Sequence, residues 1–236
     1  MTRPATARFR SARDPRGLAG RCVYGPLWML CRTLGVALFG VRVRFAEPLP
    51  DRGGLLVLSN HQSHLDPMLV GLAMDRRLSS LARSSLYRFK PFGALITALD
   101  AVPIDREAST VAAMKAVIRR LEDGAAVVIF PEGTRSSDGR MADFKHGFTV
   151  IARRAGVPIV PVAVVGAYEC WPRTRLLPRP GRVRLEFGRL MPPDEIARLD
   201  DRQLVAECER RIRELDAVGR RMLAGIRAPA AEAGPV

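Results

Sequence analysis

The stretch Leu55-Leu56-Val57-Leu58-Ser59-Asn60-His61-Gln62-Ser63-His64-Leu65-Asp66-Pro67 decides the fold. Its four consecutive apolar residues are bounded by Gly53-Gly54 before and by the turn-like pair Ser59-Asn60 after. They read as a strand buried on both faces, the pattern of a parallel sheet covered by helices on each side. Asp66-Pro67 then opens a helix over 66–75, with Asp66 placed to cap it and Pro67 at the first helical position. A polar loop therefore lies just past the carboxyl end of a buried strand.

Working outward, the same alternation recurs. Residues 41–46 alternate, with Val41, Val43 and Phe45 on one side and Arg42, Arg44 and Ala46 on the other, as a half-buried strand does. Further strands are expected at 79–82, 101–104, 125–130, 159–165 and 183–187. Helices are expected at 91–99, 108–121, 146–155 and 193–224. Strands and helices taking turns along one chain specify an α/β domain with a central mixed, largely parallel sheet flanked by helices. The 236 residues suffice for one such domain, and no composition break divides them. The expected organisation is a basic tail over 1–21, an apolar segment over 22–40, the α/β domain over 41–227, and an Ala- and Pro-rich tail over 228–236.

The formal charge is +14, and all but three of the 38 basic residues are arginine. Such a balance attracts phosphate, an acidic carrier or an anionic leaflet, and by itself does not choose among them. At 6% aromatic residues the chain offers few stacking platforms, so nucleic acid is not an expected partner. Cys22, Cys31, Cys170 and Cys208 have no CxxC spacing and the histidines form no HExxH, which signals neither a zinc site nor a disulfide framework. Residues 22–40, at about 1.5 Å per residue, just reach the thickness of a bilayer core, but Arg32 near the middle would cost roughly 2.5–3.5 kcal/mol there. A helical segment lying at the membrane interface, with Arg32 reaching the headgroups, fits this pattern. A core helix of a soluble domain is the competing reading.

His61 and Asp66 are the first candidate pair, because an imidazole held by a carboxylate can take a proton from a hydroxyl. On one continuous helix the two would sit about 140° apart. They meet only if His61 lies in the loop and Asp66 in the first turn of the helix. A loop histidine and a helix cap with no chemical role fit the same residues. The second candidate is Phe130-Pro131-Glu132-Gly133-Thr134-Arg135-Ser136, which follows the apolar run 125–129. Gly133 allows close backbone approach, Thr134 and Ser136 carry hydroxyls, and Arg135 carries a bidentate fork, a set suited to phosphate. A surface turn in which Glu132 pairs with Arg135 is the alternative.

With Val102-Pro103-Ile104-Asp105-Arg106 and Val157-Pro158-Ile159-Val160-Pro161-Val162-Ala163, the two motifs make four blocks in one order. In this the chain resembles the glycerolipid acyltransferase family, particularly lysophosphatidic acid acyltransferases, over residues 41–187. Pro103 stands where many members have Phe, and Asp100 where Gly is common, which bears on acceptor identity.

The resemblance implies an O-acyltransferase that moves a fatty acyl group from acyl-CoA or acyl-carrier protein to the free hydroxyl of lysophosphatidic acid, giving phosphatidic acid. A different lyso-lipid acceptor, such as a lyso-ornithine lipid, and a non-catalytic membrane-binding relative are the alternatives. It implies His61 as general base and Asp66 as the group that orients it, with Asn60 and Ser63 shaping the loop. Arg106, Glu132, Gly133, Thr134 and Arg135 would bind the lysophospholipid phosphate, Lys145 would add charge beside them, and Pro161 would belong to the acyl-binding wall. No metal and no cofactor is implied beyond the acyl thioester as donor substrate. The implied partners are the lysophospholipid, the thioester and a membrane lipid surface, and the implied location is the cytoplasmic face of the inner membrane.

Overall fold

A computed structural model describes residues 29, 33, 35, 37–83, 101–104 and 110–225. Seven strands, Arg42–Phe45 (β1), Leu55–Ser59 (β2), Leu78–Arg83 (β3), Ala101–Ile104 (β4), Ala126–Ile129 (β5), Ile159–Val165 (β6) and Arg184–Phe187 (β7), form one sheet in the order β1-β7-β6-β2-β5-β3-β4. Only β6 and β7 pair antiparallel, and the other neighbours run parallel. The helices are Asp66–Ala73 (α1), Thr110–Glu122 (α2), Gly147–Ala155 (α3), Ala167–Cys170 (α4), Pro193–Arg198 (α5) and Asp201–Leu223 (α6). The mixed, largely parallel α/β sheet expected from the sequence is the one observed.

Burial explains why the apolar runs became central strands. Every residue of β2 and of β6 is buried, and their alternate side chains feed two separate cores. Leu56, Leu58, Ile159 and Ala163 pack with Val117 and Leu121 of α2, Phe148 and Ile151 of α3, and Leu204 and Ile212 of α6. Leu55, Val57, Val160 and Val162 pack on the opposite face with Leu69 and Val70 of α1 and with Ala167 and Cys170 of α4. Burying a leucine or valine in such a layer contributes about 1.5–3 kcal/mol.

This two-sided arrangement creates the site. The neighbouring parallel strands β2 and β5 send their following helices, α1 and α3, to opposite faces of the sheet. Between the carboxyl ends of two such strands a crevice opens, because neither connection crosses it.

Several expectations need correction. β1 is not half-buried: all four residues are exposed, because β1 is the edge strand beyond β7. Its hold is lateral, with Phe45 stacked on Phe187 at 4.5 Å and Arg44 donating to the fully buried Glu186 at 2.7 Å. Arg184 pairs with the same carboxylate, so its buried charge is matched from two sides. The helix expected over 193–224 is two helices, broken at Leu199-Asp200, where Asp200 and Gln203 form a reciprocal capping box that starts α6. The short α4 was not anticipated. The expected helix at 91–99 and both tails lie outside the described residues, as does most of segment 22–40. Among the described residues no helix is long and apolar enough to cross a membrane. Cys170 and Cys208 are free and buried, and burial pushes the Cys208 thiol up to about 12.

Candidate active site

The loop after β2 is fixed before it reaches His61. Asn60 is buried and uses its side-chain amide as a peptide group would, donating to the Val164 carbonyl at 2.9 Å and accepting from the Val164 amide at 2.7 Å. It thereby prolongs the β2–β6 pairing one step past Ser59. His61 leaves the sheet in a direction set by that pairing.

Asp66 is fully buried at the start of α1, where Leu65 rather than Asp66 is the capping position and Pro67 is the second helical residue. Its carboxylate turns back toward the loop. Oδ2 accepts from the Gln62 amide at 2.6 Å, the Ser63 amide at 2.7 Å and His61 Nδ1 at 2.8 Å. A carboxylate partner assigns the proton to Nδ1 and leaves the lone pair on Nε2. The ring stacks on Phe130 with centroids 4.0 Å apart, and the His61 side chain remains 17% exposed. The pair that the five-residue spacing permitted is thus formed, with His61 in the loop and Asp66 in the first turn.

The loop after β5 closes on the same histidine. Glu132 is buried; its Oε1 accepts from the His61 amide at 2.7 Å and its Oε2 from the Ala142 amide at 2.9 Å. The Ser136 amide donates to the His61 carbonyl at 2.8 Å. Burial pushes the Glu132 carboxyl up, against the two amide bonds and the His61 charge that lower it. Both peptide groups of His61 are therefore held by one loop while its ring is held by another. The exposed-turn alternative, with Glu132 paired to Arg135, is not what forms, since both Glu132 oxygens accept from backbone amides.

Around this centre the basic groups gather. Gly133 has φ +71°, and a Cβ there would lie 2.9 Å from Lys145 Nζ, so the lysine side chain lies over the glycine. The Lys145 amide also donates to the Pro131 carbonyl at 3.0 Å. The Arg135 guanidinium abuts the His64 ring, which also lies 5.1 Å from the Trp171 ring and beside the Arg173 backbone. Burial, then the Arg135 charge, then His61 lower the His64 pKa. Thr134 and Gly133 are exposed at the same rim.

Of the residues singled out in the sequence, His61, Asp66, Glu132, Gly133, Thr134, Arg135 and Lys145 converge here. Asn60 and Ser63 contribute by holding the loop: the Ser63 hydroxyl donates to the Trp171 carbonyl at 2.7 Å and accepts from the Leu65 amide. Pro161 is buried within β6, opposite Leu58, where its ring crowds Gly188. Arg106 lies outside the described residues. Phe130 was quoted only as the start of its motif and Trp171 was not picked out, because its contacts at the site, with Ser63 and His64, come from a loop more than a hundred residues away.

The arrangement is a histidine anchored through Nδ1, with an arginine and a lysine carried by the loop that clamps its backbone. The acyltransferase family model matches residues 40–165, and the chain belongs to that family. It is 32% identical over 185 residues to the 1-acyl-sn-glycerol-3-phosphate acyltransferase of Pseudomonas aeruginosa, covering 75% of this chain and 69% of that one. The enzyme of that name from Bacillus subtilis is 28% identical over 182 residues, covering 75% of this chain and 88% of its own. The one from Limnanthes alba is 28% identical over 163 residues and is matched over only 57% of its length, so the chain spans little more than half of that relative. The crystal structure of the 1-acyl-sn-glycerophosphate (LPA) acyltransferase PlsC from Thermotoga maritima superposes with a TM-score of 0.72 at 26% identity, covering 94% of this chain and 86% of that one.

Proposed function

We propose that the protein is an O-acyltransferase that moves an acyl group from acyl-CoA or acyl-carrier protein to the free hydroxyl of lysophosphatidic acid. The observation that carries this reading is the His61 Nδ1 to Asp66 Oδ2 contact of 2.8 Å, which leaves Nε2 to act as the base, with Arg135 and Lys145 on the loop that clamps the His61 backbone. The names of the relatives support the acceptor.

In this mechanism the acceptor hydroxyl gives its proton to His61 Nε2 as its oxygen forms a bond to the thioester carbonyl carbon. Asp66 stabilises the imidazolium that results. The tetrahedral intermediate collapses, the carbon–sulfur bond breaks, and the imidazolium returns the proton to the departing thiolate. The products are an ester and a free thiol. Arg135, Lys145 and Arg106 hold the acceptor phosphate, and segment 22–40 attaches the chain to the cytoplasmic face of the inner membrane.

The test is thiol release from palmitoyl-CoA with lysophosphatidic acid in detergent micelles. Acceptor-dependent release that falls about 10²–10⁴-fold in His61→Ala, with the thermal melt unchanged, is expected. Wild-type rates in that variant eliminate the mechanism, and release only with another lyso-lipid moves the acceptor.

A further inference from the structure

Residues 171–182, between α4 and β7, form a loop whose residues are all exposed from Arg173 onward. Leu176 is 87% exposed and Leu177 is 70% exposed, the two most exposed large apolar side chains among the described residues. Arg173, Arg175, Arg179 and Arg182 flank them, all exposed, and the loop contains no acidic residue. We propose that this loop is a docking wedge for an anionic lipid surface, with the leucines entering the apolar layer and the arginines meeting the headgroups.

The backbone holds the loop in place. The Arg175 amide donates to the Pro172 carbonyl at 3.1 Å, and Trp171 Nε1 donates to the Arg175 carbonyl at 3.0 Å. On the return arm the Arg179 amide donates to the Cys170 carbonyl at 2.9 Å, and Gly181 passes so close to Cys170 that a Cβ would meet its Sγ at 2.5 Å. Leu176-Leu177-Pro178 is what remains between the tethers. An exposed leucine pair on a tethered loop carries a smaller ordering cost on insertion than a loop that must first fold.

Polarity and position decide the occupant. Apolar tip and basic collar match the order of layers in an anionic leaflet, hydrocarbon inside and phosphate outside. The Gly181 amide donates to the Leu38 carbonyl at 3.2 Å, so the loop runs beside the chain that leaves the apolar segment 22–40, and Leu38 is itself 45% exposed. The loop begins at the rim of the site: the Trp171 carbonyl accepts from Ser63 Oγ and the His64 amide. A docked loop therefore brings His61 to the leaflet in which a lyso-lipid resides. That orientation rests on the acyltransferase reading, whereas the docking does not.

The test is flotation of the full chain with vesicles of phosphatidylcholine and phosphatidylglycerol. Leu176→Ser with Leu177→Ser is expected to weaken binding at least about tenfold, since each leucine loses part of its burial. Arg173→Gln with Arg175→Gln is expected to weaken it by about fivefold per arginine on anionic vesicles, a difference that disappears on phosphatidylcholine alone. Both variants keep the wild-type melt and wild-type thiol release with a short-chain lysophosphatidic acid below its aggregation limit. The proposal fails if the leucine variant floats within about twofold of wild type, or if the full chain does not float. It also fails if soluble-acceptor turnover drops in step with flotation. Unchanged flotation with weakened binding of acyl-carrier protein would reassign the loop to an acidic protein. Absence of all thiol release with the flotation pattern intact would overturn the enzyme reading and leave the docking loop standing.

Discussion

Asp66 and Glu132 are both buried carboxylates that follow neighbouring parallel strands, one at the first residue of α1 and one in the loop after β5, and both hold His61, yet they hold different parts of it. Asp66 touches the ring, whereas Glu132 touches only the backbone amide. In the proposed mechanism the difference separates a group whose charge takes part in proton transfer from one whose geometry decides where the histidine stands. Two loops from different parts of the chain are thereby committed to a single residue.

Five substitutions probe that separation. Asp66→Asn is expected to have the largest effect, about a 10³–10⁴-fold loss in kcat, because the imidazolium loses its counter-charge and Nδ1 its fixed proton. Thiol release against a melt within a few degrees of wild type measures it. Glu132→Gln comes next. A glutamine has one acceptor oxygen for the two amides of His61 and Ala142, so one amide meets an NH2 group at a cost of about 1–3 kcal/mol. The expected outcome is a lower melt and a reduced kcat with the acceptor KM nearly unchanged. A raised KM with an unchanged melt would mean that Glu132 meets the substrate instead.

Gly133→Ala strains a position at φ +71° by about 1–2 kcal/mol and pushes against Lys145 Nζ. It should raise the acceptor KM several-fold, and Lys145→Met should remove most of that increment if the displaced amine is the cause. The smallest effect belongs to His64. Its pKa is lowered by burial and by Arg135. The unfolded chain therefore takes up this proton at a higher pH than the folded one does. The stability it contributes is present above about pH 6.5 and is lost as pH falls through the folded value. His64→Asn should flatten the dependence of the melt on pH below 6.5, and an unaltered slope would assign the acid sensitivity elsewhere.

What the sequence made legible follows from what is local. Runs such as 55–58 and 159–165 announce central strands because burial on both faces demands apolar residues at every position, and the His61–Asp66 contact needs only a loop and a helix start five residues apart. The exposure of β1 was not legible, since Val43 and Phe45 alternate like any half-buried strand until the edge position removes their cover. Glu132 was legible as part of a motif but not as a clamp, because its partners are amides brought in from residues 61 and 142. The break before α6 had a local signature in Asp200 and Gln203, obscured by helix formers on both sides. Lys145 was recognisable only through resemblance, and the chain alone gives no reason for it to lie across Gly133.

The edge strand has one further consequence, in the order of events during synthesis. β1 finds its partner in β7, with Arg42 opposite Arg184, 142 residues later. At about 5–20 residues per second, roughly 7–30 s separate the emergence of the two. Throughout that interval the apolar stretch ahead of β1 is already outside the ribosome while its own strand has no place in the sheet. On the proposed attachment of that stretch, the nascent chain reaches a bilayer before its domain is complete, and the β1–β7 pairing then closes on a polypeptide already at that surface.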